Sequence, residues 1–320
     1  MDTLHCAAMI CTYPLNSIAA SLVFTAVALA RGGVYLRTAI AAYICWILVD
    51  PSPARGGYES LWNLGVTGML RRSWMWRWAC RYFPVTLKAT SQLPAEKGPY
   101  IFVCHPHGII GVSPMTSFGT DASGFNTTFP GLKVHLLGHN AIFRIPFFRE
   151  WCLMHGHGVA GRDTCLYLLR RGHSIALAPG GAKESLESVP GTMRLVLRNR
   201  KGFARLGLRT GAALVPVLGF GENELYSTVQ FEKHTWRRRI QERLQQRLGF
   251  AMPLFYGLSW LPLVPRRRPV TTLVGPPLWP PEVVADPTAE QVDTFHGQYC
   301  QALRDPRLGM PSSCGHLPGE

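Results

Sequence analysis

Charge is scarce in this chain of 320 residues: Asp, Glu, Lys and Arg together make up 16%, where an ordinary soluble domain carries about 25%. Acids are the scarcer sign, 19 against 33 Lys and Arg, so the formal net charge is +14. Low charge with 47% hydrophobic residues excludes a disordered chain, which could not bury enough apolar surface to offset its ordering entropy. Gly and Pro follow no period, so collagen-like and linker chains are excluded. The 9 cysteines form no CxxC pair, and the chain is long enough for a large core, so a small disulfide scaffold is excluded too. The odd cysteine count and its apolar surroundings point to free thiols facing a reducing, cytosolic compartment. The sequon Asn126-Thr127-Thr128 is the contrary sign, since it would accept a glycan in a lumen.

Positive charge on a hydrophobic chain points to anionic partners: a membrane surface, phosphorylated substrates or nucleic acid. Residues 3–30 carry no charge, and residues 34–49 are interrupted only by Arg37. No Lys or Arg precedes the first run, which argues against a cleaved secretory signal. Arg31-Gly32-Gly33 is a turn, so residues 15–30 and 34–49 are expected to form a membrane helical hairpin. Each run is about 24 Å long as a helix, short of the ~30 Å hydrocarbon core. The hairpin would span a thinned bilayer, draw in residues 7–14, or enter and leave by one face. A buried helical pair in a soluble core is the alternative. Asp50-Pro51-Ser52-Pro53 ends the second run.

Trp62, Trp74, Trp76 and Trp78 follow, mixed with Arg71, Arg72, Arg77 and Arg81. That mixture suits the headgroup layer. It would equally suit base stacking, but the adjacent apolar hairpin favours membrane over nucleic acid. From residue 98 short apolar runs alternate with helical patterns. Strands are expected at 100–104, 133–137, 174–178 and 213–218, and helices at 163–171 and 201–210. This alternation predicts an α/β domain with a mixed or largely parallel sheet. Residues 235–249 predict a basic amphipathic helix with Trp236, Ile240, Leu244 and Leu248 on one face, either a solvated surface helix or a second membrane contact.

Four segments could carry chemistry. His105-Pro106-His107-Gly108 follows a predicted strand, where a rigid turn can present a general base. Zinc is a competing reading, from the HxxxH pair His135 and His139 and the HxH pair His155 and His157, but no HExxH or Cys pair supports it. Gly180 and Gly181 close the next predicted strand and lead to Glu184, at the sheet end where open α/β folds bind ligands. Arg198, Arg200 and Lys201 stand at a predicted helix start and could hold phosphates. Glu222 and Asn223 follow a third strand end.

These segments occur in order with Tyr82-Phe83-Pro84 and Phe129-Pro130-Gly131. Together they resemble the HPHG-type diacylglycerol acyltransferase family, with its monoacylglycerol and wax-ester acyltransferase relatives. The resemblance spans roughly residues 43–305. It implies a glycerolipid-acyltransferase-like mixed α/β domain behind the N-terminal membrane helical hairpin. The expected division is a hairpin at 1–54, an interfacial Trp/Arg-rich segment at 55–97 and a catalytic domain at 98–320. It implies acyl transfer from acyl-CoA, a co-substrate, to a neutral-lipid hydroxyl, with neither cofactor nor metal. Diacylglycerol is the expected acceptor, and monoacylglycerol or a long-chain alcohol the alternative. His107 is expected as base, His105 as positioning residue or substitute, and Glu184 as the group orienting the base. Gly108 would mark the oxyanion turn, and Arg198, Arg200 and Lys201 would face the CoA phosphates. The expected partners are acyl-CoA, the lipid acceptor and membrane phospholipid, not nucleic acid, with a homo-oligomer left open. The expected place is the endoplasmic reticulum membrane, catalytic domain to the cytosol, or a lipid droplet. Residues 110 and 112 are Ile and Val, so neither histidine has the Asp five residues on that related glycerol-phosphate acyltransferases carry.

Overall fold

The computed structural model describes residues 14–232, 235–248, 253–258 and 263–309. The two apolar runs are helices α1 (Pro14–Arg31) and α2 (Val34–Val49). Arg37 ties their turn by donating to the Ala30 carbonyl at 2.9 Å. Among the described residues no helix is long and apolar enough to cross a membrane. The spanning form of the expected hairpin is therefore corrected. At ~1.5 Å per residue neither helix reaches the ~30 Å of a hydrocarbon core, and Asn16, Ser17 and Arg31 shorten the apolar part of α1. Residues 7–13, which a longer first helix would draw in, lie outside the described residues. The buried-pair alternative fails as well, because Val23, Tyr35, Leu48 and Val49 are 62%, 90%, 71% and 72% exposed. Among the described residues the hairpin carries apolar side chains that nothing covers.

A buried charge network roots the hairpin. Arg149 is fully buried and pairs with both Asp50, at the end of α2, and Glu150. Tyr43 of α2 donates to Glu150 at 2.9 Å, and Tyr58 donates to the other oxygen of the same carboxylate. Phe24 of α1 packs edge-on against Phe147 at 5.2 Å.

Helix α3 (Trp74–Tyr82) follows. The tryptophans of this region divide between two environments. Trp76 is buried and donates its indole N–H to His155 at 3.1 Å, and Trp62 stacks on His135 beneath Arg71 and Lys133. Trp74 is 58% exposed.

Strands β1 (Val85–Ala89), β2 (Tyr100–His105), β3 (Val134–Gly138), β4 (Gly158–Val159), β5 (Ser174–Leu177), β6 (Ala213–Phe220) and β9 (Val270–Val274) form one sheet in the order β1-β9-β6-β2-β5-β3-β4. From β6 to β4 all pairs are parallel, while β9 runs antiparallel to β6 and carries β1 parallel beside it. Central β2 is buried along its whole length, as a parallel strand covered on both faces must be. Between strands lie helices α4 (Val112–Phe118), α5 (Phe148–Met154), α6 (Arg162–Arg170), α7 (Gly181–Leu186) and α8 (Gly202–Thr210). Between β6 and β9 the chain inserts helix α9 (Trp236–Leu248) and a separate antiparallel pair, β7 (Ser227–Val229) with β8 (Leu254–Tyr256). Helix α10 (Ala289–Ala302) starts behind a Thr288–Gln291 capping box.

Alternation along β2 sorts the core. Ile101 and Val103 pack with Leu168 of α6, Phe203 of α8 and Tyr299 of α10. Phe102 and Cys104 point the other way, into Phe118, Phe125 and Phe129. His105 continues the first series, which aims it at α10.

Candidate active site

Three neighbouring strands, β5, β2 and β6, end side by side, and each delivers one of the motifs singled out in the sequence. The turn after β5 leads to Glu184, β2 ends in His105 and His107 follows it, and Glu222 follows β6. Motifs scattered over more than a hundred residues thus meet at one edge of the sheet, the carboxyl end where open α/β folds bind ligands.

The two histidines differ. His105 is 1% exposed and its Nε2 shares a 3.0 Å hydrogen bond with the Tyr299 hydroxyl. Among the described residues its Nδ1 has no hydrogen-bond partner, and Glu184 Oε1 is 4.0 Å away. Burial without a bonded carboxylate pushes the His105 pKa down to about 3. His107 is half-buried. Its Nδ1 lies 3.1 Å from the Gly108 carbonyl and 3.0 Å from the Ser185 hydroxyl. The carbonyl accepts only, so Nδ1 carries the proton, and among the described residues the Nε2 lone pair has no partner. Burial lowers the His107 pKa, partly offset by the bond to Gly108, so the ring is neutral at pH 7.

Glu184 is 2% exposed. Its oxygens accept the backbone N–H of His107 and of Val196, each at 2.9 Å. Burial raises its pKa to about 7, against the pull of those two bonds and of Arg200. The expected contact between Glu184 and the base is therefore relocated. Glu184 holds the backbone of His107, and the next residue, Ser185, holds the ring. Adjacent helical residues point about 100° apart, so one turn of α7 grips His107 at two places. Gly180 is required here, because a Cβ on it would stand 1.8 Å from the Glu184 carboxyl carbon.

Glu222 is the mirror of this arrangement across β2. It is 2% exposed and accepts the N–H groups of Val112 and Ser113 at 2.9 and 2.7 Å. Burial raises its pKa to about 7 too, with the bonds from Ser113, Val112 and Gly111 opposing. Asn223 accepts from Ser188 and donates to the Thr192 carbonyl, both at 2.7 Å, fastening the segment that follows α7.

The basic residues are only partly brought together. Arg200 is close enough to lower the Glu184 pKa, Arg198 is exposed, and Lys201 is committed to Asp293 of α10 at 2.6 Å. Tyr82, Phe83 and Pro84 belong to a different place. The Tyr82 hydroxyl donates to the Pro265 carbonyl at 2.7 Å, and the Phe83 and Pro84 carbonyls accept the Val270 N–H, locking the end of α3 to the start of β9. Gly181 takes a positive φ of 51° at the start of α7.

Tyr299 is not among the residues expected from the sequence, although the Thr288 and Gln291 capping-box pair and the helical spacing of Val292, Phe295, Tyr299 and Leu303 are signals that mark its helix. A buried hydroxyl cluster was likewise not expected from the sequence. Ser113 and Ser117 both bond Thr272 at 2.8 Å, joining α4 to β9 beneath the Glu222 carboxylate. Among the described residues no three His, Cys, Asp or Glu side chains converge as a metal site. His135 instead bonds the Gly56 and Gly156 carbonyls, at 2.8 and 3.0 Å. A surface cavity of about 1010 Å³ along the C-terminal half of α10 is lined by none of the site residues.

A mixed α/β sheet whose central strand ends in an HPHG turn, with a buried glutamate on either side of it, is the arrangement in which the family match can be read. The chain belongs to the diacylglycerol acyltransferase family: the family model described as Diacylglycerol acyltransferase matches residues 34–306. The chain is 40% identical over 273 residues to diacylglycerol O-acyltransferase 2 of Danio rerio, covering 82% of this chain and 73% of that one. The human protein of the same name is 40% identical over 271 residues, with 82% and 67% covered. Diacylglycerol O-acyltransferase 2A of the fungus Umbelopsis ramanniana is 37% identical over 275 residues, with 83% and 75% covered. Among solved structures, the 1-acyl-sn-glycerophosphate acyltransferase of Thermotoga maritima superposes with a TM-score of 0.38 at 12% identity, over 81% of this chain and 90% of that one.

Proposed function

We propose that this chain transfers a fatty acyl group from acyl-CoA to the free hydroxyl of diacylglycerol, making triacylglycerol, with His107 as the general base. The observation that carries the assignment of the base is the free Nε2 of a neutral ring whose Nδ1–H is held by Gly108 and Ser185. Nε2 takes the proton of the acceptor hydroxyl as its oxygen attacks the thioester carbonyl. The tetrahedral oxyanion is met by backbone amides of the turn from Gly108 to Ile110, because Glu184 already occupies the His107 amide and Glu222 those of Val112 and Ser113. Collapse breaks the C–S bond, and the imidazolium returns its proton to the CoA thiolate. His105 is a positioning residue in this scheme, its Nε2 being engaged by Tyr299. Arg198 and Arg200 are the cations that meet the CoA phosphates, while Lys201 holds α10 through Asp293.

The hairpin lies within one leaflet of the endoplasmic reticulum membrane or a lipid-droplet monolayer, with the site on the cytosolic side. Its exposed Val23, Phe24, Leu48 and Val49 support that reading, since an apolar surface of this kind marks a membrane or protein contact. The test is expression in a host lacking neutral-lipid synthesis, followed by lipid extraction. Triacylglycerol is expected, and its loss in His107→Ala with membrane association intact. Absence of any neutral-lipid product overturns the activity, and wax ester alone reassigns the acceptor.

A further inference from the structure

Helix α9 is mounted with its polar side inward. Arg238 and Gln241 are 9% and 7% exposed. Arg238 reaches Glu187 at 2.5 Å and Glu242 at 2.8 Å. The opposite side carries Trp236, Ile240 and Leu244, which are 66%, 47% and 39% exposed. Spacing by four places these three on one stripe. At 3.6 residues per turn, Arg243 and Arg247 fall within or beside that stripe, with Arg237 and Arg239 at its two flanks. All four arginines are exposed, and among the described residues none has an ion-pair partner. A helix on a soluble surface does the reverse, burying its apolar stripe and solvating its cations.

Every feature of the outward face matches one kind of surface. A stripe of Trp, Ile and Leu calls for an apolar layer of shallow depth. Unpaired arginines around it call for anions in a plane just above that layer. We propose that α9 is an interfacial helix that docks on an anionic phospholipid surface, seating Trp236, Ile240 and Leu244 at headgroup depth with Arg237, Arg239, Arg243 and Arg247 on lipid phosphates. This goes beyond the acyl-transfer reading and does not depend on it. The docked helix is also tied to the site. Glu187, which Arg238 grips, directly follows α7 and donates its N–H to the Glu184 carbonyl at 3.1 Å. The same insertion exposes Leu254 and Tyr256, the latter with Arg266 over its ring.

The test follows trypsin cleavage of the purified full chain after Arg237, Arg239, Arg243 and Arg247 by mass spectrometry. The chain is mixed with phosphatidylcholine vesicles prepared with or without phosphatidylserine. The hairpin can enter both, so only the α9 cleavages report on this face. Phosphatidylserine vesicles are expected to slow those cleavages by roughly fivefold or more, given the pull of an anionic surface on each basic residue. High salt reverses the effect through screening. The variant Ile240→Glu/Leu244→Glu, which keeps all four cleavage sites and alters exposed positions only, is expected to lose the protection. Equal cleavage with both vesicle types overturns the proposal. So does protection that needs no vesicles and grows with protein concentration, which assigns the face to a second copy of the chain.

Discussion

Glu222 occupies the space that Gly108 leaves by having no side chain. A Cβ on Gly108 would stand 2.4 Å from the Glu222 Cγ, and Gly108 itself has a φ of +63°. The second half of the HPHG turn is thus shaped by a carboxylate more than a hundred residues away in the chain. Gly108→Ala is expected to expel Glu222 and strip the Val112 and Ser113 amides of their acceptor. The cost is about 2–4 kcal/mol from strain and unmet hydrogen bonds, with activity lost. Thermal unfolding alongside turnover checks this, and a variant as stable and active as the parent would exclude the steric argument.

Ser185→Ala removes one of the two groups on His107 Nδ1 and leaves the Glu184 bond to the backbone in place. The expected outcome is a fall in kcat of about tenfold with KM for acyl-CoA little changed, since general-base catalysis is worth roughly 10²–10⁴ in all and the Gly108 carbonyl still holds the ring. Ser185→Thr keeps the hydroxyl and should recover most of the rate. A change confined to KM would assign Ser185 to substrate binding instead.

The site was partly legible in the sequence, for a definite reason. His107, Glu184 and Glu222 each follow a buried apolar run, and the ends of parallel strands converge whatever their order along the chain. Which atom meets which was not legible. Glu184 and Ser185 are consecutive, and only the rotation of α7 decides that the carboxylate takes the backbone and the hydroxyl the ring. Strands β1 and β9 escaped because five residues such as Val270–Val274, two of them threonine and the run bounded by Pro269 and Gly275, carry little pattern of their own. They become strands by pairing with each other and with β6. The hairpin helices were legible from composition, but whether they cross a membrane was a matter of length.

The pH profile of activity should have an acidic limb. Burial lowers the His107 pKa from its ordinary 6.5, so the ring proposed as the base is neutral above that value and is lost as a base as pH falls through its own, lower pKa. Turnover at saturating substrate is expected to hold from pH 7.5 down to about 6.5 and then decline. A limb centred above pH 7 would point to a group other than His107.

Stability should fall on acidification. Burial pushes His105 and His135 to about 3, His155 and His173 to about 4, and His157 well below 6.5. As pH falls below 6.5 the unfolded chain takes up protons that these folded rings refuse, which lowers stability. Glu184 and Glu222, raised from 4.5 to about 7, act oppositely: the folded chain holds their protons, so stability falls as pH rises from 4.5 to about 7. Five histidines outnumber two carboxylates, so the net slope between pH 4.5 and 6.5 favours the neutral side. Thermal midpoints in mild detergent at pH 5 and pH 6.5 check the sign. Glu184→Gln should steepen the acid loss by removing an opposing group.

Arg149 holds the hairpin to the body through Asp50 and Glu150 while fully buried. Arg149→Met strands two carboxylates and is expected to cost about 3–5 kcal/mol, as breaking a buried pair does. Limited proteolysis should then open first near residues 50–58. Unchanged protection there would mean that Phe24, Tyr43 and Phe147 suffice to root the helices.

The pairing of Val85–Ala89 with Val270–Val274 carries a consequence for biosynthesis. The partners are about 185 residues apart, and ribosomes add roughly 5–20 residues each second. The edge strand therefore waits some ten to forty seconds for its neighbour, beside a finished hairpin with exposed apolar side chains. On the proposed membrane placement, the nascent chain is anchored first and the sheet closes last, which keeps that unpaired strand away from its counterparts on other ribosomes.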